Sequence, residues 1–135
     1  MRYQIEYCPN PDCLQIHTDQ RLIRGTIATF EYFDLGEGAE KDFRRDAGND
    51  NADPLISFCR VTTELDGMEE HISFGRYQIQ MMKAPLFLWE RLLPHILCAL
   101  RTFVAKDGSQ FEELMPAKRP TPEYLEALRK QGCEV

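Results

Sequence analysis

The chain has 135 residues, the size of one domain, and its 43% hydrophobic and 28% charged content suits a packed core rather than a wholly disordered chain. Sixteen Lys and Arg against twenty-two Asp and Glu give a formal charge of −6, which opposes non-specific capture by nucleic acid or an anionic membrane surface. The opening Met-Arg-Tyr-Gln-Ile-Glu-Tyr lacks the apolar run of a secretory signal, and the most apolar stretch, Pro85 to Val104, is broken by Glu90, Arg91, Pro94, His95 and Arg101, so no membrane helix is expected.

In chain order, Tyr3, Ile5 and Tyr7 alternate with Gln4 and Glu6, and Leu14, Ile16 and Thr18 alternate with Gln15 and His17. The intervening Pro9-Asn10-Pro11-Asp12 predicts a hairpin. A third strand is expected from about Leu22 to Phe33, bulged at Gly25. Residues 36–53 hold nine charged side chains, three glycines and a single aromatic, Phe43, and are expected to be a mobile acidic loop. Strands over Leu55 to Glu64 and His71 to about Gln80 would pair antiparallel across the turn-forming Asp66-Gly67.

From Pro85 the period lengthens: Leu86, Trp89, Leu93, Ile96, Leu97, Leu100 and Val104 trace one helical stripe, with Pro94 expected to kink the helix near Leu92. A connector with one turn near Phe111 to Met115 leads to a final short helix, capped by Thr121 and carrying Tyr124, Leu125 and Leu128. The expected fold is α+β, one domain over residues 1–135: an antiparallel sheet of about five strands covered by one long kinked helix, plus a short C-terminal helix.

Candidate chemistry is sparse. Cys8, Cys13 and His17 could converge on zinc, but structural zinc usually takes four ligands and no fourth is evident, so the two cysteines are read as facing each other across the hairpin and no metal or cofactor is expected. Five scattered cysteines suit reduced thiols and a cytoplasmic location. His17, His71 and His95 fall in separate segments, and no serine sits on a nucleophile elbow, which argues against an enzyme. The aromatic residues of the strands could stack nucleic-acid bases only beside a basic groove, and the strand-rich half is the acidic one. Residues 1–67 carry seven basic and thirteen acidic side chains, whereas residues 68–135 carry nine of each. A stripe made by Arg21, Arg24, Arg60 and Arg76 on one face would be the exception.

The resulting expectation is a non-catalytic interaction or regulatory protein that meets a basic protein partner through an acidic, aromatic-bearing sheet surface and loop, with Asp42, Asp46, Asp50, Asp53 and Tyr32 as contact residues. The alternative is a small-molecule-binding or hydrolytic α+β protein with a pocket between curved sheet and helix, lined by Phe58, Phe74, Tyr77, Trp89 and His95. Apolar runs such as Leu55-Ile56-Ser57-Phe58-Cys59 exceed what a sheet with one wet face needs. They favour a homodimer through a sheet face or edge.

Overall fold

Strand β1 (Arg2–Tyr7) and strand β2 (Cys13–Thr18) form the expected hairpin, with Tyr3 opposite Thr18, Ile5 opposite Ile16 and Tyr7 opposite Leu14. The computed structural model describes residues 1–31 and 37–114 together with Lys130. Strand β3 (Ala28–Glu31), β4 (Met68–Phe74), β5 (Gln78–Lys83) and the two-residue β6 (Glu112–Glu113) complete a six-stranded sheet in the order β3-β4-β5-β2-β1-β6. Its pairings are antiparallel except β1 with β6, which run parallel, so the sheet is mixed. The α+β class stands. Phe111 secures the parallel edge by stacking on Tyr3 at 4.7 Å between ring centroids, and β6 replaces the helical turn expected there.

Two expectations in the first half are overturned. The expected loop is helical over its described residues: α1 (Glu37–Ala47) and α2 (Asn49–Thr63) occupy this region. The charges that suggested a loop pair along the α1 surface, Arg44 with Glu40 at 3.1 Å and Arg45 with Asp42 at 3.5 Å, at the four- and three-residue spacings that stabilise helices. The single aromatic suffices to dock α1, because Phe43 is buried with its ring edge-on to Phe30 and Phe74, each at 5.9 Å.

Leu55 to Glu64 is likewise helix rather than strand. Ala52, Leu55, Ile56, Cys59 and Thr62 are buried at steps of three and four residues, a period hidden inside an apolar run that reads equally well as a buried strand. The apolar surplus that favoured a second copy of the chain is thereby explained by a helix dry along one stripe. Asp66-Gly67 turns the chain from α2 into β4, Gly67 having φ of 93°, and β4 instead pairs with β5 across a turn closed by Gly75 N–H donating to the Gln78 carbonyl at 2.8 Å.

The third strand is shorter than expected at its start. Residues 24 and 25 bond to the end of α1, Arg24 N–H to the Ala47 carbonyl and Gly25 N–H to the Asp46 carbonyl, and a Cβ at Gly25 would strike that Asp46 oxygen. Gly25 therefore permits a close helix approach rather than a bulge. The long helix also differs: α3 (Trp89–Ala99) continues through Pro94, which lies on its exposed side where water can serve the carbonyl that proline leaves unbonded. The irregularity comes later, as a π-helical turn at Leu100–Val104 closed by Ala105 N–H on the Leu100 carbonyl. Tyr32 and the expected C-terminal helix from Thr121 lie outside the described residues.

Alternation assigns the two faces of the sheet. Ile5, Leu14, Ile16, Ile72, Phe74, Ile79 and Met81 are buried in one core with Phe43 of α1, Phe58 of α2 and Trp89, Leu92 and Ile96 of α3. Gln4, Glu6, Gln15, His17, His71, Ser73, Gln78 and Gln80, on the other face, are half-buried or exposed. The described helices α1, α2 and α3 therefore share one side of the sheet.

Candidate interaction edge

Among the described residues β3 is one outer strand of the sheet, and α1 lies alongside it. An open cavity of about 310 Å³ runs between them, lined by Ile27, Thr29 and Glu31 from the strand side and Asp42, Phe43, Arg45 and Asp46 from the helix. The helix presents this lining because Phe43 faces inward, which places Asp42 and Asp46 one residue before it and three after, flanking the groove. Ile27, at the strand's entrance, is 65% exposed. Three carboxylates face one guanidinium here, and Arg45 is already engaged by Asp46 at 3.2 Å and Asp42 at 3.5 Å. These contacts hold the Arg45 guanidinium charged, with its pKa raised chiefly by the hydrogen bond to Asp46. Glu31 is approached by His71 Nδ1 at 3.3 Å.

The structure divides the expected contact residues. Asp42 and Asp46 line this groove. Asp50, in the first turn of α2, lines a separate cavity of about 300 Å³ with Arg21, Lys106 and Phe103 of the π-helical turn. Asp53 is bound to Arg44 Nη1 at 2.7 Å. Of the arginines of the expected stripe, Arg21 donates to the Ile23 and Arg24 carbonyls and Arg76 to the Gly25 carbonyl, which gathers them around residues 23–25, while Arg60 on α2 lies 4.0 Å from Glu40. The aromatic residues Tyr3, Phe30 and Phe74 belong to the core side, so the open sheet face is polar instead of aromatic.

The residues expected to line a pocket do not converge on one. Phe58 and Phe74 pack edge to face at 6.3 Å with no exposed surface, and Trp89 is buried with its indole N–H donating to the Pro11 carbonyl at 3.0 Å. Tyr77 and His95 are exposed. Cys8 and Cys13 stand opposite each other as expected, but His17 does not join them. Four residues along β2 separate His17 from Cys13 by about 13 Å, and His17 Nε2 instead meets Glu6 Oε2 at 2.6 Å. Among the described residues no group of three His, Cys, Asp or Glu side chains is arranged to hold a metal ion.

Sequence reasoning missed two features. One is the groove itself, since it requires α1, where the density of charge predicts a loop. The other is the ion pair of Lys83, whose side chain is wholly buried and whose Nζ lies 2.9 Å from Asp12 Oδ1. Lys83 falls in the inward phase of β5, after Ile79 and Met81, and that phase was the available signal. No helix among the described residues is long and apolar enough to cross a membrane.

Comparison with known proteins yields no matching family and no matching curated protein. Among solved structures, protein SAV1430 from Staphylococcus aureus is similar at 17% sequence identity and a TM-score of 0.49, over 74% of this chain and 99% of that one.

Proposed function

We infer that the protein is a non-catalytic interaction module that accepts an extended, basic segment of a partner protein along the β3 edge. The observation carrying this reading is an outer strand beside a groove whose lining is net acidic. An outer strand offers backbone N–H and C=O groups to an added strand, while neighbouring side chains select what is added. Here Glu31, Asp42 and Asp46 would favour Lys or Arg, and Ile27 would accept an apolar residue between them. Self-pairing of two such edges would bring like charges together, so the same chemistry favours a different, basic partner over a second copy.

The test uses a short peptide of alternating valine and lysine and its valine–glutamate counterpart. The lysine peptide should bind, weaken as salt is raised, and lose most of its affinity for the Asp42→Lys/Asp46→Lys variant. Equal binding of both peptides, or binding indifferent to the double substitution, would count against the reading.

A further inference from the structure

The face of the sheet turned away from the described helices carries sulfur atoms on β2, on β5 and at the residue that follows β1. Cys13 on β2 is the register partner of Met82 on β5, and both alternate with buried residues, so both project to the face away from the helices. On the other side of β2 the register sets Tyr7 opposite Leu14; one step further it places Cys8 opposite Cys13. The register thus sets the two thiols face to face. Cβ atoms of directly opposed residues lie about 5 Å apart, a distance that one bound ion can bridge between facing sulfurs. Both cysteines are free thiols, Cys8 half-buried and Cys13 buried.

The segment joining the thiols is held from several sides. Asn10 accepts from Cys13 N–H through its carbonyl and from Asp12 N–H through its side chain. Lys83 bonds to Asp12 through both its backbone N–H and its Nζ, and Trp89 donates to Pro11. The thiol pair is thus set in place by the fold rather than carried on a free turn.

We propose that Cys8, Cys13 and Met82 form a binding site for a soft monovalent metal ion, of the copper(I) type. Two thiolates and a thioether match the ligand preference of such an ion, whereas zinc would need further nitrogen, oxygen or sulfur ligands. His17, the nearest imidazole along β2, is out of reach and engaged by Glu6. Binding forms two copper–thiolate bonds, with the two displaced thiol protons passing to solvent. Copper remains in the +1 state throughout.

The test is titration of the whole reduced protein with copper(I), under a reductant and against a chromophoric copper(I) chelator, alongside zinc. The protein should retain about one equivalent of copper(I), with sulfur-to-copper charge-transfer absorption and quenching of its single tryptophan, and no equivalent of zinc. The Cys8→Ser/Cys13→Ser variant should lose this binding, Cys98→Ser/Cys133→Ser should keep it, and Met82→Leu should lower affinity about tenfold, the scale on which one supporting group tunes a metal site. Failure of the wild-type protein to take up copper(I) would overturn the proposal. So would equal binding by the Cys8→Ser/Cys13→Ser variant, or an affinity untouched by Met82→Leu.

Discussion

Asp12 and Lys83 join the hairpin turn to the end of β5, with the Asp12 carboxylate mostly covered. With the Lys83 side chain wholly buried, loss of the Asp12 charge would strand a cation in the interior. Asp12→Asn is therefore expected to destabilise the protein by about 3 kcal/mol, at the lower end of the cost of breaking a buried pair. The double variant Asp12→Asn/Lys83→Met should recover much of that loss in urea denaturation. Cys8 contributes a pH dependence at the same turn. Burial, followed by the hydrogen bond with Cys13 and the nearby Cys13 and Glu6 charges, pushes its thiol from 9.0 up to about 12. The folded protein thus holds a proton that the unfolded chain releases above pH 9. This contribution is fully present below pH 9 and is lost as pH rises toward 12. Cys8→Ser should flatten the alkaline loss of stability across that window, and an unchanged slope would assign it to the other groups that burial pushes up, Tyr3, Tyr7 and Cys59.

At the scale of elements, what was legible in the sequence followed from clean periodicity. The β1–β2 hairpin shows strict alternation around Pro9-Asn10-Pro11-Asp12, and α3 shows a three- and four-residue apolar step, so both stand close to where the sequence places them. Leu55 to Cys59 is too short and too uniformly apolar to reveal its period, and only Ala52 and Thr62 outside the run disclose the helical one. In α1 the buried apolar side chains described are Phe43 and Ala47, while Glu40, Asp42, Arg44, Arg45 and Asp46 form ion pairs. Half of the candidate site was legible for the same reason. Asp42 and Asp46 stood out as acidic residues, but the groove they line exists only because Phe43 docks α1 beside β3. Phe43→Ala is expected to cost about 3–5 kcal/mol, the range for truncating a buried phenylalanine. Amide hydrogen exchange should show the loss concentrated in α1, with β1 and β2 little affected.

At the scale of the molecule, the described helices pack on one face of the sheet, and the strand residues of the other face are mostly polar. The acidic excess of the first half is partly neutralised within it, as Arg44 and Arg45 hold Glu40, Asp42, Asp46 and Asp53. The groove lies beside β3, whereas Cys8, Cys13 and Met82 lie at the end of β1, on β2 and on β5, so partner and metal would engage different strands. Occupation of one should leave the other free. The most direct measurement is amide hydrogen exchange, residue by residue, in the presence of the valine–lysine peptide. The expected result is new protection within Ala28–Glu31 with little change at β1 and β6, abolished in Asp42→Lys/Asp46→Lys. Binding that leaves the β3 amides exchanging at their original rates, or that protects another edge instead, would contradict strand addition at this groove.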